Sequence, residues 1–491
     1  MSSLMSWEGV LALILGGLYG SLFGAIPGLT ATLAVALFIP IAFFLDPMIA
    51  LPAIIAISSV AIYAGDVGST VARIPGTPAS AAYLEELHRL ARRKGPFYGL
   101  GLSAIGSAVG GVIGTIILAF SATGIAVLAR QFSSFEYFWI AVLGLVAGIF
   151  AAGGSTLKAF ASLLLGLLLS TVGVDPTLGY PRFHFENPNL LSGLNYIVAM
   201  IGLFGFSEVL EYLYRSSPKA DPPPEKAGGA AFQFYRRSIG LIIKEKWLVF
   251  RSSLIGVFVG FLPGAGADIG AWVSTSFQQL RQKKKEADEA DDDRIILAGT
   301  SSNNASVASA WIPALSLGLP GDTITAIVLG VFLMKGITPG PLLFEQQPEL
   351  LWALYLTFLI ANVLLLPFFG FLTARMAAYL IRIPLPLLLT FITGLCIVGA
   401  FAINNSLFDV WVMVGMGLLA FLLRRGGFPM AQVVLGMVLG PIMEQNFMVS
   451  AIKSRWDLMS FLERPIALIL MVCTFLVIFF GVRIRRRYLK G

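Results

Sequence analysis

Charge is scarce in this chain. Asp, Glu, Lys and Arg make up 12% of its 491 residues, where soluble domains carry about 25%. That deficit excludes an ordinary water-soluble globule, since hydrophobic residues fill 57% of the sequence. Cysteine is nearly absent. Cys396 and Cys473 both lie in apolar stretches, so no disulfide framework or thiolate metal cluster can be built, and packing is their expected role. The two histidines, His88 and His184, stand far apart in the sequence, which leaves little for a His-based metal or proton site. No G-x-x-x-x-G-K-[ST] phosphate loop occurs, so nothing points to ATP. The opening MSSLMSWEGVLALILGGLYG has neither a basic start nor a small-residue cleavage site, and reads as a first span rather than a removable signal. The net charge of +7 collects in loops. Basic loops mark the cytoplasmic side of a membrane protein, not a nucleic-acid surface, and the RIRRRYLK tail (483–490) predicts a cytoplasmic C-terminus.

What is present is apolar sequence in runs long enough to cross a bilayer. Spans are expected near 8–25, 30–45, 48–64, 99–120, 137–153, 156–173 and 194–213. A second series falls near 250–264, 323–337, 351–372, 384–402, 407–423, 430–443 and 465–482. Between the series lies the longest polar stretch, 214–246, with the Pro- and Gly-rich SSPKADPPPEKAGG. It reads as a linker between a first membrane unit, 1–213, and a second, 247–491. The run RQKKKEADEADDDR (281–294) and the basic Arg92, Arg93 and Lys94 read as solvated cytoplasmic loops. The fold class is therefore an all-α polytopic membrane protein of about 12–14 spans, broken helices and re-entrant hairpins included.

The spans are interrupted in a repeating way. GAIPGLTAT (24–32) is echoed by GFLPGAGAD (260–268), and VARIPGTPAS (71–80) by SLGLPGDTIT (316–325). The step from Pro27 to Pro263 is only slightly shorter than the step from Pro75 to Pro320. Two motifs in one order at nearly one offset point to an internal duplication, and an inverted repeat is the expected form. An unsatisfied backbone group in hydrocarbon costs several kcal/mol, so broken helices survive only where they are buried or line a watery cavity. Each break is followed by a capping residue: Thr30, Thr77 (before Pro78), Asp268 and Asp322. All four therefore read as helix starts, which present free N–H groups and a partial positive charge suited to a carboxylate.

Candidate substrate-binding residues gather around the breaks: Pro27, Gly28, Thr30, Ser69, Thr70, Arg73, Pro75, Gly76, Thr77 and Ser80 in the first half. Ser301, Ser302, Asn303, Asn304, Pro320, Gly321 and Thr323 are their counterparts in the second. Arg73 could grip a carboxylate with two hydrogen bonds; a lipid-facing arginine is the plainer reading. Candidate ion-binding residues are Asp66, Gly264, Gly266, Asp268 and Asp322, with Na+ expected at Asp268 and Asp322. Plain helix capping and small-residue packing are the alternative roles for the same positions.

These residues resemble the tripartite tricarboxylate transporter family, in its large membrane subunit. The resemblance is carried by GAIPGLTAT, IPGTPASAA, FEYFWIAVLGL, LKAFASLLLGLLLSTVGVDPTLGYPRF, GLFGFSEVL, GFLPGAGADI, SSNNASVASAWIPALSLGLPGD and GITPGPLLF. It implies a bacterial inner-membrane secondary transporter that works with a small four-span membrane subunit and a periplasmic solute-binding protein, takes up a carboxylate on an ion gradient, usually Na+, and needs no cofactor. Three positions depart from the family pattern: Thr300 where Glu is common, Arg73 where Asn is common, and Glu85–Glu86 in place of an acid-Gly pair. The mechanism this implies is alternating access, with hairpin-like regions near 65–82 and 298–322 enclosing the acid near mid-membrane. A passive organic-anion channel is the first rival. A membrane enzyme, for which the usual catalytic sets are thin, and a non-transporting sensor are weaker ones.

Overall fold

The structure is a computed structural model. It describes residues 4–26, 29–152, 155–175, 177–214, 231–263, 266–281, 289–380, 385–457 and 459–488. Pro27, Gly28 and Gly264, together with 215–230 and 282–288 of the two polar runs, lie outside the described residues. The first half contains α1 (Trp7–Ala25), α2 (Ala31–Phe44), α3 (Pro47–Ala72), α4 (Leu84–Lys94), α5 (Pro96–Ala129), α6 (Ser134–Ala151), α7 (Thr156–Ser170) and α8 (Tyr196–Tyr214). After α9 (Ala231–Lys244) come α10 (Lys246–Phe261), α11 (Gly266–Arg281), α12 (Glu289–Ser309), α13 (Trp311–Leu317), α14 (Thr323–Met334), α15 (Pro348–Ala377), α16 (Leu385–Asn404), α17 (Leu407–Arg425), α18 (Met430–Lys453) and α19 (Pro465–Tyr488). Two short strands, β1 (Gly173–Val174) and β2 (Pro181–Arg182), pair antiparallel in the loop before α8. Among the described residues nine helices are long and apolar enough to cross a membrane, and four more apolar helices are shorter. The all-α polytopic expectation holds.

Three expectations about polar segments change. Residues 281–294 are not wholly a solvated loop: Glu289–Arg294 form the first turns of α12, and Asp292 is 1% exposed. It is buried because Arg89 of α4 caps it with two hydrogen bonds of 2.9 and 2.6 Å. Arg92, Arg93 and Lys94 are the last turn of α4, where cations complement the helix dipole. Within 214–246, Ala231–Lys244 forms a helix, in which Ser238 and Ile242 are buried.

Glycine sets how closely the helices approach. Gly20 and Gly24 of α1 abut the carbonyls of Ile57 and Ala61 on α3. Gly256 and Gly260 of α10 abut those of Ser302 and Ser306 on α12. These are the same two contacts moved along the chain. The glycines shift by the step from Pro27 to Pro263, and their partners by the step from Pro75 to Pro320. A small residue every fourth position leaves no side chain between the backbones, and the Ser306 hydroxyl uses that proximity to donate to the Gly256 carbonyl at 2.8 Å.

Contact order also gives direction. Gly16, Gly20 and Gly24 meet Ala53, Ile57 and Ala61 in rising order, so α1 and α3 run the same way. Gly106, Gly110 and Gly114 of α5 meet Leu297 and Thr300, Ser301 and Ala305 of α12, again rising. Gly99 instead lies beside Thr70 while the Ser103 hydroxyl donates to Asp66, so α5 runs opposite to α3.

Candidate functional site

The breaks are built by local chemistry. The Thr30 hydroxyl accepts from Leu33 N–H at 3.1 Å and starts α2. Asp322 starts α14 through a reciprocal capping box: its carboxylate accepts from Thr325 N–H at 2.7 Å, and its own N–H donates to the Thr325 hydroxyl at 2.8 Å. Thr77 and Ser80 make the same box, with both N–H···O bonds at 3.1 Å. Thr77 and Ser80 stand before Asp322 and Thr325 by the same step that separates Pro75 from Pro320. Behind each box a glycine closes on the preceding helix: Gly76 on Gly65, whose carbonyl accepts its N–H at 3.2 Å, and Gly321 on Ala310. A Cβ at either would overlap backbone, which is the requirement for the second residue of each Pro-Gly pair.

Two of the four expected helix starts differ from the sequence reading. Thr77 opens only a 3-10 turn, Ser80–Tyr83, before the polar α4, because charged residues follow it instead of an apolar run. Asp268 is no cap: α11 begins at Gly266, which takes φ +76°. The Asp268 carboxylate is thereby released to accept the N–H of Ala79, in the other half of the chain, at 3.1 Å. One turn on, Trp272 Nε1 donates to the Pro78 carbonyl at 3.1 Å. The opposite junction is lighter. Thr32 precedes Asp268 by the step from Pro27 to Pro263, and its hydroxyl lies 3.2 Å from that of Thr323.

These starts share one cavity of about 130 Å³, room for roughly four waters at about 30 Å³ each. Thr30, Thr32, Thr77, Gly266, Asp268, Asp322 and Thr323 line it, with Ile62 and, on the far wall, Ala431, Val434 and Leu435 of α18. Of the expected set, Thr30, Thr77, Gly266, Asp268, Asp322 and Thr323 thus come together. Thr32 and the α18 wall were not anticipated; the offset that Thr32 shares with the Pro-Gly motifs is the signal that marks it. Among the described residues no lysine, arginine or histidine lines the cavity. A larger cavity of about 910 Å³ lies one to two turns further along α14 and α18, lined by Leu329, Gly330, Met437 and Val438 among others. Tyr196 lines it and donates to the carbonyl of Ala326, which lines the smaller one.

The remaining expected residues lie elsewhere. Arg73 ends α3 in the left-handed region (φ 55°), is half exposed, and binds Glu85 through hydrogen bonds of 2.8 to 3.1 Å. Asp66 is buried in α3 and accepts from Tyr83 at 3.0 Å and from Ser103. Thr70 donates to the Asp66 carbonyl at 2.6 Å, and Ser69 is fully buried. Pro75 and Pro320 shape the breaks without lining the cavity. Ser80, Gly76 and Gly321 support it from behind. Ser301, Ser302, Asn303 and Asn304 are buried on α12; Ser302 donates to the Gly270 carbonyl at 2.8 Å and so ties α12 to the helix that carries Asp268.

A family model described as "Tripartite tricarboxylate transporter TctA family" matches residues 10–435. The chain belongs to this family. It is 33% identical over 457 residues, 92% of this chain and 89% of the other, to an uncharacterized 52.8 kDa protein in the TAR-I ttuC' 3' region of Agrobacterium vitis. It is also 33% identical over 239 residues, 47% of this chain and 97% of the other, to an uncharacterized protein in the TAR-II ttuC' 3' region of the same organism. No solved structure matches. Family membership makes this a membrane protein associated with transport, and the matched residues include every helix start that lines the cavity.

Proposed function

We propose that the chain is the large membrane subunit of a binding-protein-dependent secondary transporter. It imports tricarboxylates or related carboxylates together with Na+, by elevator-like alternating access, across a bacterial inner membrane with its C-terminus in the cytoplasm. It acts with a small four-span membrane subunit and a periplasmic solute-binding protein. The observation that carries this reading is the polar cavity walled by helix starts from both halves of the chain.

The sign of the charges supports cation coupling. A helix start favours an anion by about 0.3–1 kcal/mol, up to about 2. Two like charges about 4 Å apart repel by about 4 kcal/mol at an effective dielectric constant near 20. An acid facing Asp268 and Asp322 with no basic residue beside it is therefore rejected unless cations enter with it. Hard monovalent cations suit carboxylate and hydroxyl oxygens, so the aspartates hold Na+ while the helix starts and threonines take the acid. Two repeats, 1–213 and 247–491 joined by 214–246, account for the paired offsets. They are inverted on this reading: α1 and α3 run together, α5 runs against α3 and with α12, so α12 opposes α3. The polar cavity face against the apolar α18 wall suits a carrier unit sliding past a scaffold, with the larger cavity as the approach.

The test is uptake of labelled di- and tricarboxylates into proteoliposomes holding the chain with its two partners, with and without a Na+ gradient. Saturable uptake that stops when Na+ is replaced by choline supports the reading. Gradient-independent flux at channel rates overturns it in favour of a passive organic-anion channel.

A further inference from the structure

Away from the cavity, the middle of the bundle holds a group of buried polar side chains that lack proper partners. Ser59 of α3 and Asn304 of α12 are separated by the step from Pro75 to Pro320, so they are the same position in the two halves, and they touch. Asn304 Nδ2 lies 3.4 Å from the Ser59 carbonyl and 3.4 Å from Asn362 Oδ1. Both distances exceed the usual 2.7–3.2 Å of an N–H···O bond. Asn304 Oδ1 and the Ser59 hydroxyl have no partner among the described residues, although the three residues are 1–2% exposed. Asn362 sits in a π-helical turn, Ala361–Leu365, of α15, a distortion that recurs at functional sites. Its amide orientation is set, because Nδ2 donates to the Phe358 carbonyl at 2.8 Å and so turns Oδ1 inward. Gly111 of α5 supplies the room, since a Cβ there would overlap that amide.

We propose that Asn304, Asn362 and Ser59 form a binding site for a monovalent cation of the Na+ class at the crossing of α3 and α12. An amide has the same shape when turned over. With Asn304 turned, its Oδ1 takes the place of Nδ2 and faces two oxygens at 3.4 Å. A hard cation binds oxygen at about 2.4 Å, which sets ligands at right angles about 3.4 Å apart. The Ser59 carbonyl is one of these two oxygens, and the Ser59 hydroxyl, buried without a partner among the described residues, is assigned to the ion as the further ligand. All the ligands are neutral, which fits a single positive charge; divalent hard cations draw on carboxylates. The site rests on packing alone and stands whether or not the cavity carries an acid.

The test uses the purified full-length Asp268→Asn/Asp322→Asn variant, so that the cavity carboxylates contribute nothing. Radiolabelled Na+ binding and thermal unfolding are measured in NaCl against choline chloride at one ionic strength. The expected result is saturable Na+ binding with a Na+-dependent rise in Tm. Adding Asn304→Leu abolishes both, and adding Ser59→Ala, a deletion small enough to leave the fold intact, weakens binding at least tenfold. Two results overturn the proposal: no Na+-specific rise in the parent variant, which means water fills the place, or a rise that neither added substitution changes. Carboxylate uptake plays no part in this readout, so its failure and this one are separable.

Discussion

The two capped breaks are one device with opposite chemistry. Thr77–Ser80 and Asp322–Thr325 form the same reciprocal box, at the same offset as Pro75 and Pro320, behind the same close glycine. Yet the first half offers hydroxyls and the second a carboxylate. The start of α2 and the start of α11 differ likewise: Thr32 meets a hydroxyl of the other half, whereas Asp268 takes a backbone N–H from it. Backbone approach and cap geometry are shared between the halves, while charge is not. Packing constrains both copies alike, and the chemistry of the cavity, together with the element that follows each break, distinguishes them.

That comparison predicts unequal effects. The largest belongs to charge. Asp268→Asn with Asp322→Asn keeps the side-chain shape, and Asn still caps a helix, so the fold survives while Na+-driven uptake falls at least 100-fold. The matched change in the first half, Thr32→Val with Thr77→Val, lowers uptake by roughly tenfold or less. Equal losses from the two would erase the distinction between the halves. Next comes the shared scaffold. Gly20→Val and Gly256→Val each drive a side chain into a backbone carbonyl, of Ile57 and of Ser302. Each is expected to cost at least the roughly 1–3 kcal/mol typical of overpacking, seen as a fall in Tm, and the two falls should match. A large disagreement would show that the two helix pairs are not equivalent. Smaller again are the caps. Ser80→Ala removes a neutral cap partner and costs about 1 kcal/mol. Thr325→Val removes a hydroxyl that donates to a carboxylate at 2.7 Å, a class of bond that contributes about 1.5–3 kcal/mol, so its Tm shift should be the larger.

Much of this was legible in the sequence. Apolar run length gave the polytopic class, and the Pro-Gly motifs with their two offsets marked the breaks that meet in the cavity. Other parts were hidden for physical reasons. Asp268 reads as a cap because it precedes an apolar stretch; only the left-handed Gly266, where the helix already starts, frees its carboxylate. Ser301, Ser302, Asn303 and Asn304 read as substrate ligands because they lie close to a break in the second half. In the structure Ser301 turns back onto the preceding turn, to Leu297 at 2.6 Å, and others bind neighbouring helices. Asp292 reads as solvated because nothing in its own segment shows that Arg89, in the other half of the chain, covers it.

Arg73 is the smallest and sharpest case. By sequence it is the one arginine beside a break, with a carboxylate clamp as the sharper of its two readings and a lipid-facing side chain as the plainer. By structure it stands outside the cavity at the end of α3, with its fork occupied by Glu85 and both side chains more than half exposed, 52% and 57%. Exposed pairs of this kind contribute about 0–1 kcal/mol. Arg73→Gln should therefore lower Tm by no more than one or two degrees and leave the apparent KM for every transported acid within about twofold. The conformation sharpens the test, since the left-handed backbone at Arg73 is costly for a branched residue but open to Gly or Asn. Arg73→Gly should thus recover in backbone strain what it loses in the ion pair. A tenfold rise in KM with Arg73→Gln would instead mean that the guanidinium leaves Glu85 for the acid in another state of the transport cycle.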